Sequence, residues 1–144
     1  MTKTKAVSKS SPMRIFKQEK LWRDKMVAKA ESQGSILHWR KLDDAEYDKQ
    51  LRIKLLEEAD EVRVATSREE LMAELADIYE VVDSLCALHN VSKTEIVAIQ
   101  DKKRAERGGF AERKFVDKVE HPEGSYLANY CLAEPLKYPE IIEE

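Results

Sequence analysis

Glu58 and Glu61 lie three residues apart, and so do Glu74 and Asp77. Residues three or four apart on a helix share a face, with Cβ atoms about 5–6 Å apart. If residues 46–65 and 68–89 form antiparallel helices joined near 66–67, Glu61 and Glu74 stand equally far from the turn. So do Glu58 and Asp77. Each acid then faces its partner across the hairpin, and four carboxylates converge. Alone they repel: one like-charge pair at about 4 Å costs ~4 kcal/mol at an effective dielectric of 20. A hard cation that takes oxygen ligands, Mg²⁺ above all, suits such a group. The competing reading is a solvated acidic face whose members pair with Lys54, Arg63 and Arg68. Lys54 stands four residues before Glu58, a spacing worth about 0.2–0.5 kcal/mol on a helix.

The elements that must position these acids are helical. Leu51, Leu55, Ala59 and Val62 give the first of the two helices an apolar stripe at helical period, with Asp43 or Asp44 as its cap. Ser67 opens the second with Glu70 three residues on, a capping-box pattern. Leu71, Leu75, Ile78, Val82, Leu85 and Cys86 mark its buried face, and Asn90 ends it. Ser92 and Glu95 form a second capping box, which opens a helix with Ile96 and Ile99 inward and a stop at Gly108-Gly109. Upstream, a helix over Phe16–Ser32 stops at Gly34, and Ile36–Leu42 is a connector. Downstream, Lys114–Val119 reads as a short strand. Pro122, Gly124, Pro135 and Pro139 suggest an extended tail. The expected organisation is a flexible basic tail over 1–12, an all-α domain over 13–119 and an irregular C-terminal extension over 120–144. A single hairpin is a thin core, and two of them packed together make a four-helix bundle.

Composition narrows the class. The 144 residues include 37% charged side chains but only 4 Gly and 4 Pro, the profile of one helical domain rather than a β-sandwich. No apolar run approaches the ~18–20 residues needed to cross a bilayer, and the Lys/Ser/Thr-rich start lacks the apolar segment of a signal peptide. A cytoplasmic location and no membrane partner are expected. Cys86 and Cys131 have no metal-ligand or redox spacing. Charge is segregated. Residues 1–30 hold nine Lys/Arg against two acids, residues 43–83 fourteen acids against five bases, and residues 102–118 seven bases against three acids. An acidic centre between basic flanks fits metal plus polyphosphate. It opposes binding of a nucleic-acid polymer, which needs a broad basic face.

The run Glu57-Glu58-x-x-Glu61 followed by Glu74-x-x-Asp77 resembles the signature of the MazG-like all-α nucleoside triphosphate pyrophosphohydrolases, relatives of phosphoribosyl-ATP pyrophosphohydrolase. Lys20-Leu21-Trp22-Arg23-Asp24-Lys25-Met26 is similar to the opening KLVRDKI-type segment of one branch. Lys102-Lys103-x-x-x-Arg107-Gly108-Gly109-Phe110 is similar to its closing KxxxRGGF-type run. The resemblance spans roughly residues 15–118. It departs at Trp22, where an aliphatic residue is usual, and at Met26-Val27-Ala28, which replaces an Ile-Pro-Glu-like stretch.

The resemblance implies hydrolysis of a nucleoside triphosphate between its α and β phosphates, giving a monophosphate and pyrophosphate. It implies Glu58, Glu61, Glu74 and Asp77 as ligands of Mg²⁺, with Mn²⁺ as a substitute. Glu57, Glu58 and Glu61 are the candidate catalytic carboxylates. Glu57 is read either as a group that orients water or as a solvated carboxylate, since one residue turns it about 100° from Glu58. Lys54, Lys103 and Arg107 are the candidate phosphate-binding cations. The resemblance also implies a homodimer or homotetramer. Lys20, Arg23 and Lys25 either reach phosphate from a neighbouring subunit or pin the N-terminal segment to the acidic hairpin; the second reading is preferred. Trp39 and Tyr79 are expected to be core aromatics rather than base-stacking platforms. The alternatives carried forward are phosphoribosyl-ATP hydrolysis and a non-catalytic, nucleotide-binding helical oligomer.

Overall fold

The computed structural model of the chain describes residues 12–142; the basic tail expected over 1–12 falls, save Pro12, outside them. Among the described residues there are five helices and no strand: α1 (Asp24–Ser32), α2 (Asp44–Val64), α3 (Arg68–His89), α4 (Lys93–Arg107) and α5 (Tyr126–Ala133). The chain divides into two compact units, one up to Gln100 and one from Asp101 onward.

In the first unit, α2 and α3 pack as an antiparallel hairpin. Each helix begins where a side chain satisfies a backbone N–H that the helix leaves unpaired. Asp43 accepts from the Glu46 N–H at 2.8 Å. Ser67 accepts from the Glu70 N–H at 3.1 Å. Glu70 reaches back to the Thr66 N–H and hydroxyl, at 2.9 and 3.1 Å, one residue before the position the capping-box pattern specifies. Three residues, Ala65 to Ser67, therefore turn the chain through the hairpin. Asn90 ends α3 in the left-handed region at φ 52°, and the Val91 N–H bonds the Cys86 carbonyl. The Ser92–Glu95 box is complete, with both reciprocal bonds formed at 2.7 and 3.1 Å. Lys93 then pairs with Asp83 at 2.7 Å, tying the start of α4 to α3.

The apolar core is small: Leu51, Val81 and Cys86 are buried. The stripe assigned to α3 is only partly inward. Ile78, Val82 and Leu85 are half-buried, whereas Leu71 and Leu75 are exposed. Ile96 and Ile99 of α4 are exposed as well, not inward as expected. Trp39 and Tyr79, expected in the core, are 68% and 66% exposed. Tyr79 follows Ile78 by about 100° of helix, which turns it off the face that α2 covers.

Two further elements differ from expectation. α1 begins at Asp24, not near Phe16. Glu19 takes φ 49°, a left-handed conformation that a right-handed helix cannot contain, and Arg23 is extended. The C-terminal end of α1 is as expected: Gly34 at φ +94° donates to Glu31, and Ser35 donates to Ala30, closing a Schellman motif.

The second unit contains the last turns of α4, which stop at Gly108 with φ +80°. The expected strand over Lys114–Val119 is absent, and the tail is not extended throughout. Ser125 caps α5, accepting from the Ala128 N–H. Tyr130 of α5 stacks against Tyr126 and Tyr138, with ring centroids 6.4 and 5.9 Å away.

Candidate metal centre

The three-residue turn fixes which residues of α2 and α3 stand opposite. Glu58 of α2 meets Glu74 and Asp77 of α3: each offers a carboxylate oxygen, and these lie within 4.8 Å of one another. Glu58 is buried, with 7% of its surface exposed, and Glu74 and Asp77 are half-buried. Glu61, the fourth expected ligand, is exposed one turn along α2, outside this triad. Its charge still reaches the group. The Glu74 carboxyl is pushed above its ordinary range, first by desolvation and then by Asp77, Glu61, Glu58 and Glu70. Three oxygens at this spacing fit a divalent, oxygen-seeking cation in the chemistry of the donor set.

Cations of the chain itself border the acids. Lys54 lies one turn before Glu58 and bonds both Glu58, at 3.2 Å, and Glu57, at 3.3 Å. Desolvation acts to lower the Lys54 ammonium, but Glu58 and Glu57 outweigh it and hold the group above its usual value. Glu57, outside the triad, accepts from a cation on each oxygen, Lys20 at 3.2 Å and Lys54 at 3.3 Å. Desolvation acts to raise the Glu57 carboxyl; the two lysines overcome it and keep the group below the ordinary carboxylate range. Arg23 donates to Asp77, a member of the triad. Of Lys20, Arg23 and Lys25, the pinning role is met by the first two, while Lys25 is exposed on α1; sequence spacing alone held no signal for which acids they choose.

The surface-pairing alternative holds for part of the group. Arg63 pairs with Asp60, outside the site. Lys54 and Arg23 take single members of the acidic group and leave the triad's mutual approach in place. Lys103 and Arg107 lie on the exposed last turns of α4, in the second unit. Cys86 and Cys131 are both free thiols. No helix among the described residues is long and apolar enough to cross a membrane.

No protein-family model matches the chain, and no curated protein or solved structure matches it significantly.

Proposed function

We propose that this chain is a Mg²⁺-dependent pyrophosphohydrolase of the MazG-like all-α type. It would cut a nucleoside or deoxynucleoside triphosphate between the α and β phosphates, in a house-cleaning role. The observation that carries the reading is the convergence of Glu58, Glu74 and Asp77 to within 4.8 Å across the hairpin. It joins an acidic signature in the sequence to a donor set that fits a hard cation.

In this reading Glu58, Glu74 and Asp77 hold the metal, with Glu61 completing the set from the next turn of α2. When bound, the cation neutralises phosphate charge and acidifies water. The chain's own residues do the rest. Lys54, charged and anchored on Glu57 and Glu58, presents a fixed positive edge to the phosphates. Glu57, held ionised by Lys20 and Lys54, orients water rather than storing a proton. Lys103 and Arg107, read from the sequence as phosphate-binding cations, belong to the second unit and have no assigned part in this reading. A homodimer or homotetramer is part of the proposal. The first unit leaves Leu56, Met72, Leu75 and Tyr79 exposed on its two long helices, and a second hairpin would cover such a surface as a four-helix bundle.

The test is a product assay. The protein with Mg²⁺ is given each ribo- and deoxyribonucleoside triphosphate, then phosphoribosyl-ATP, with Glu61→Gln as the control. Phosphorus NMR should show monophosphate and pyrophosphate, lost in the control. Release of inorganic phosphate, or turnover unaffected by Glu61→Gln, would contradict the proposal. Turnover of phosphoribosyl-ATP alone would move the substrate to histidine synthesis. Metal and nucleotide binding without turnover would leave the non-catalytic oligomer.

A further inference from the structure

Lys20 and Arg23 form a strap across the acidic hairpin. The segment before α1 turns at Glu19 and is extended at Arg23, and it reaches Glu57 on α2 with Lys20 and Asp77 on α3 with Arg23. The two contacts join residues 37 and 54 positions apart. They span both helices at the level of the triad. Asp77 belongs to that triad, so Arg23 occupies a carboxylate that the metal reading also needs. A guanidinium and a divalent cation are both positive and both seek the same oxygens. Held against one carboxylate they repel, so each weakens the other's hold.

We propose that the Lys20–Arg23 strap and the divalent cation are mutually exclusive occupants of the acidic site. This rests on the metal reading of Glu58, Glu74 and Asp77. Without metal, Arg23 neutralises Asp77 and the strap lies closed over the hairpin. Cation entry removes the reason for that pair, and the strap lifts. Its release frees a lysine and an arginine beside a site that handles a polyanion. The device keeps the acids compensated when metal is scarce.

The segment carries its own reporter. Trp22 lies between the two strap cations and is 37% exposed. The chain has 2 tryptophans. The other, Trp39, is largely exposed, so Trp39→Phe leaves Trp22 as the single emitter without disturbing a core.

The experiment titrates Mg²⁺ into the full chain at constant ionic strength, with KCl as the matched control. Trp22 emission is followed in the Trp39→Phe background. Calorimetry gives Mg²⁺ affinity in the wild type, Arg23→Gln and Arg23→Lys. Both Arg23 pair members are partly solvent-exposed. Removing the competitor should therefore tighten Mg²⁺ binding by about 2- to 5-fold, the factor carried by an ion pair of that kind. Arg23→Lys should stay near the wild type. Trp22 emission should shift red with Mg²⁺ and not with KCl. The proposal falls if Mg²⁺ binds the wild type while Trp22 stays silent. It falls equally if Arg23→Gln binds no tighter, because Asp77 would then hold Arg23 and metal together. If Mg²⁺ binds none of these proteins, the metal reading itself fails and takes the strap with it.

Discussion

Toward the end of the α2–α3 hairpin away from its turn, the buried residues are Leu51, Val81 and Cys86. Asp48 there is bonded by Arg52 and by His89. Nearer the turn, the same two helices bring Glu58, Glu74 and Asp77 together. One region lowers its free energy by leaving water; the other gathers like charges that raise it. The difference shows how the acids can be held. The apolar end and the capped turn fix the register from both sides, and the carboxylates between them have no freedom to slide apart. The largest disturbance of this contrast should come from the acid end. Glu58→Gln keeps the side-chain volume but removes the buried carboxylate of the triad. It should lower kcat/KM of the proposed reaction by about 10³-fold, equivalent to ~4 kcal/mol of barrier, while the thermal transition stays cooperative. Full activity in this variant would remove Glu58 from the site.

The apolar end answers to a different probe. Leu51→Ala should destabilise the fold by about 2–3 kcal/mol in urea unfolding, the lower part of the range for buried Leu→Ala changes. A loss under about 0.5 kcal/mol, the level of an ordinary surface change, would mean that this end does not set the register. The turn comes next. Ser67→Ala removes the α3 cap and should cost about 1 kcal/mol. Activity per folded molecule should fall too if turn geometry aligns Glu58 with Glu74 and Asp77.

The weakest expected effect is in pH. Arg52 first, and then His89, hold the Asp48 carboxyl below its usual range. A group depressed in the native state stabilises it fully above its unfolded pKa of about 3.9. That contribution is lost as pH falls through the lower native value. Asp48→Asn should therefore flatten the acid limb of the stability profile, read by urea unfolding across acid pH.

The local signals in the sequence proved reliable. Ser67 and Glu70, Ser92 and Glu95, Gly34 and Asn90 act through atoms within a few residues, so their types and spacing carry the geometry. The α2–α3 register follows from two such signals, which is why the sequence alone sets Glu58 opposite Asp77; Glu74, which it sets opposite Glu61, instead joins Glu58 and Asp77. Longer-range effects were hidden. α1 starts late because Glu19 turns left-handed and the strap ahead of Arg23 answers to acids far along the chain. Helical period alone assigns Leu75 to the core. It lies one residue, about 100° of helix, beyond Glu74, and the acid takes the face toward α2. The eight-residue α5 carries no such signal: the prolines and glycine on either side suggest extended chain, and its nearly all-apolar run shows no polar face.

The central claim is that the gathered carboxylates are a cation site, and Glu74 tests it most directly. Its carboxyl is raised by desolvation and by its acidic neighbours, so its charge works against the native state when nothing compensates it. The measurement is thermal unfolding of wild type and Glu74→Gln, each in EDTA and in saturating Mg²⁺. The account predicts a reversal of order. Glu74→Gln melts higher than the wild type in EDTA, where it relieves repulsion. It melts lower in Mg²⁺, where it has lost a ligand and with it the stabilisation that binding confers. The same order in both conditions, with no Mg²⁺-dependent rise in the wild type, would contradict the claim.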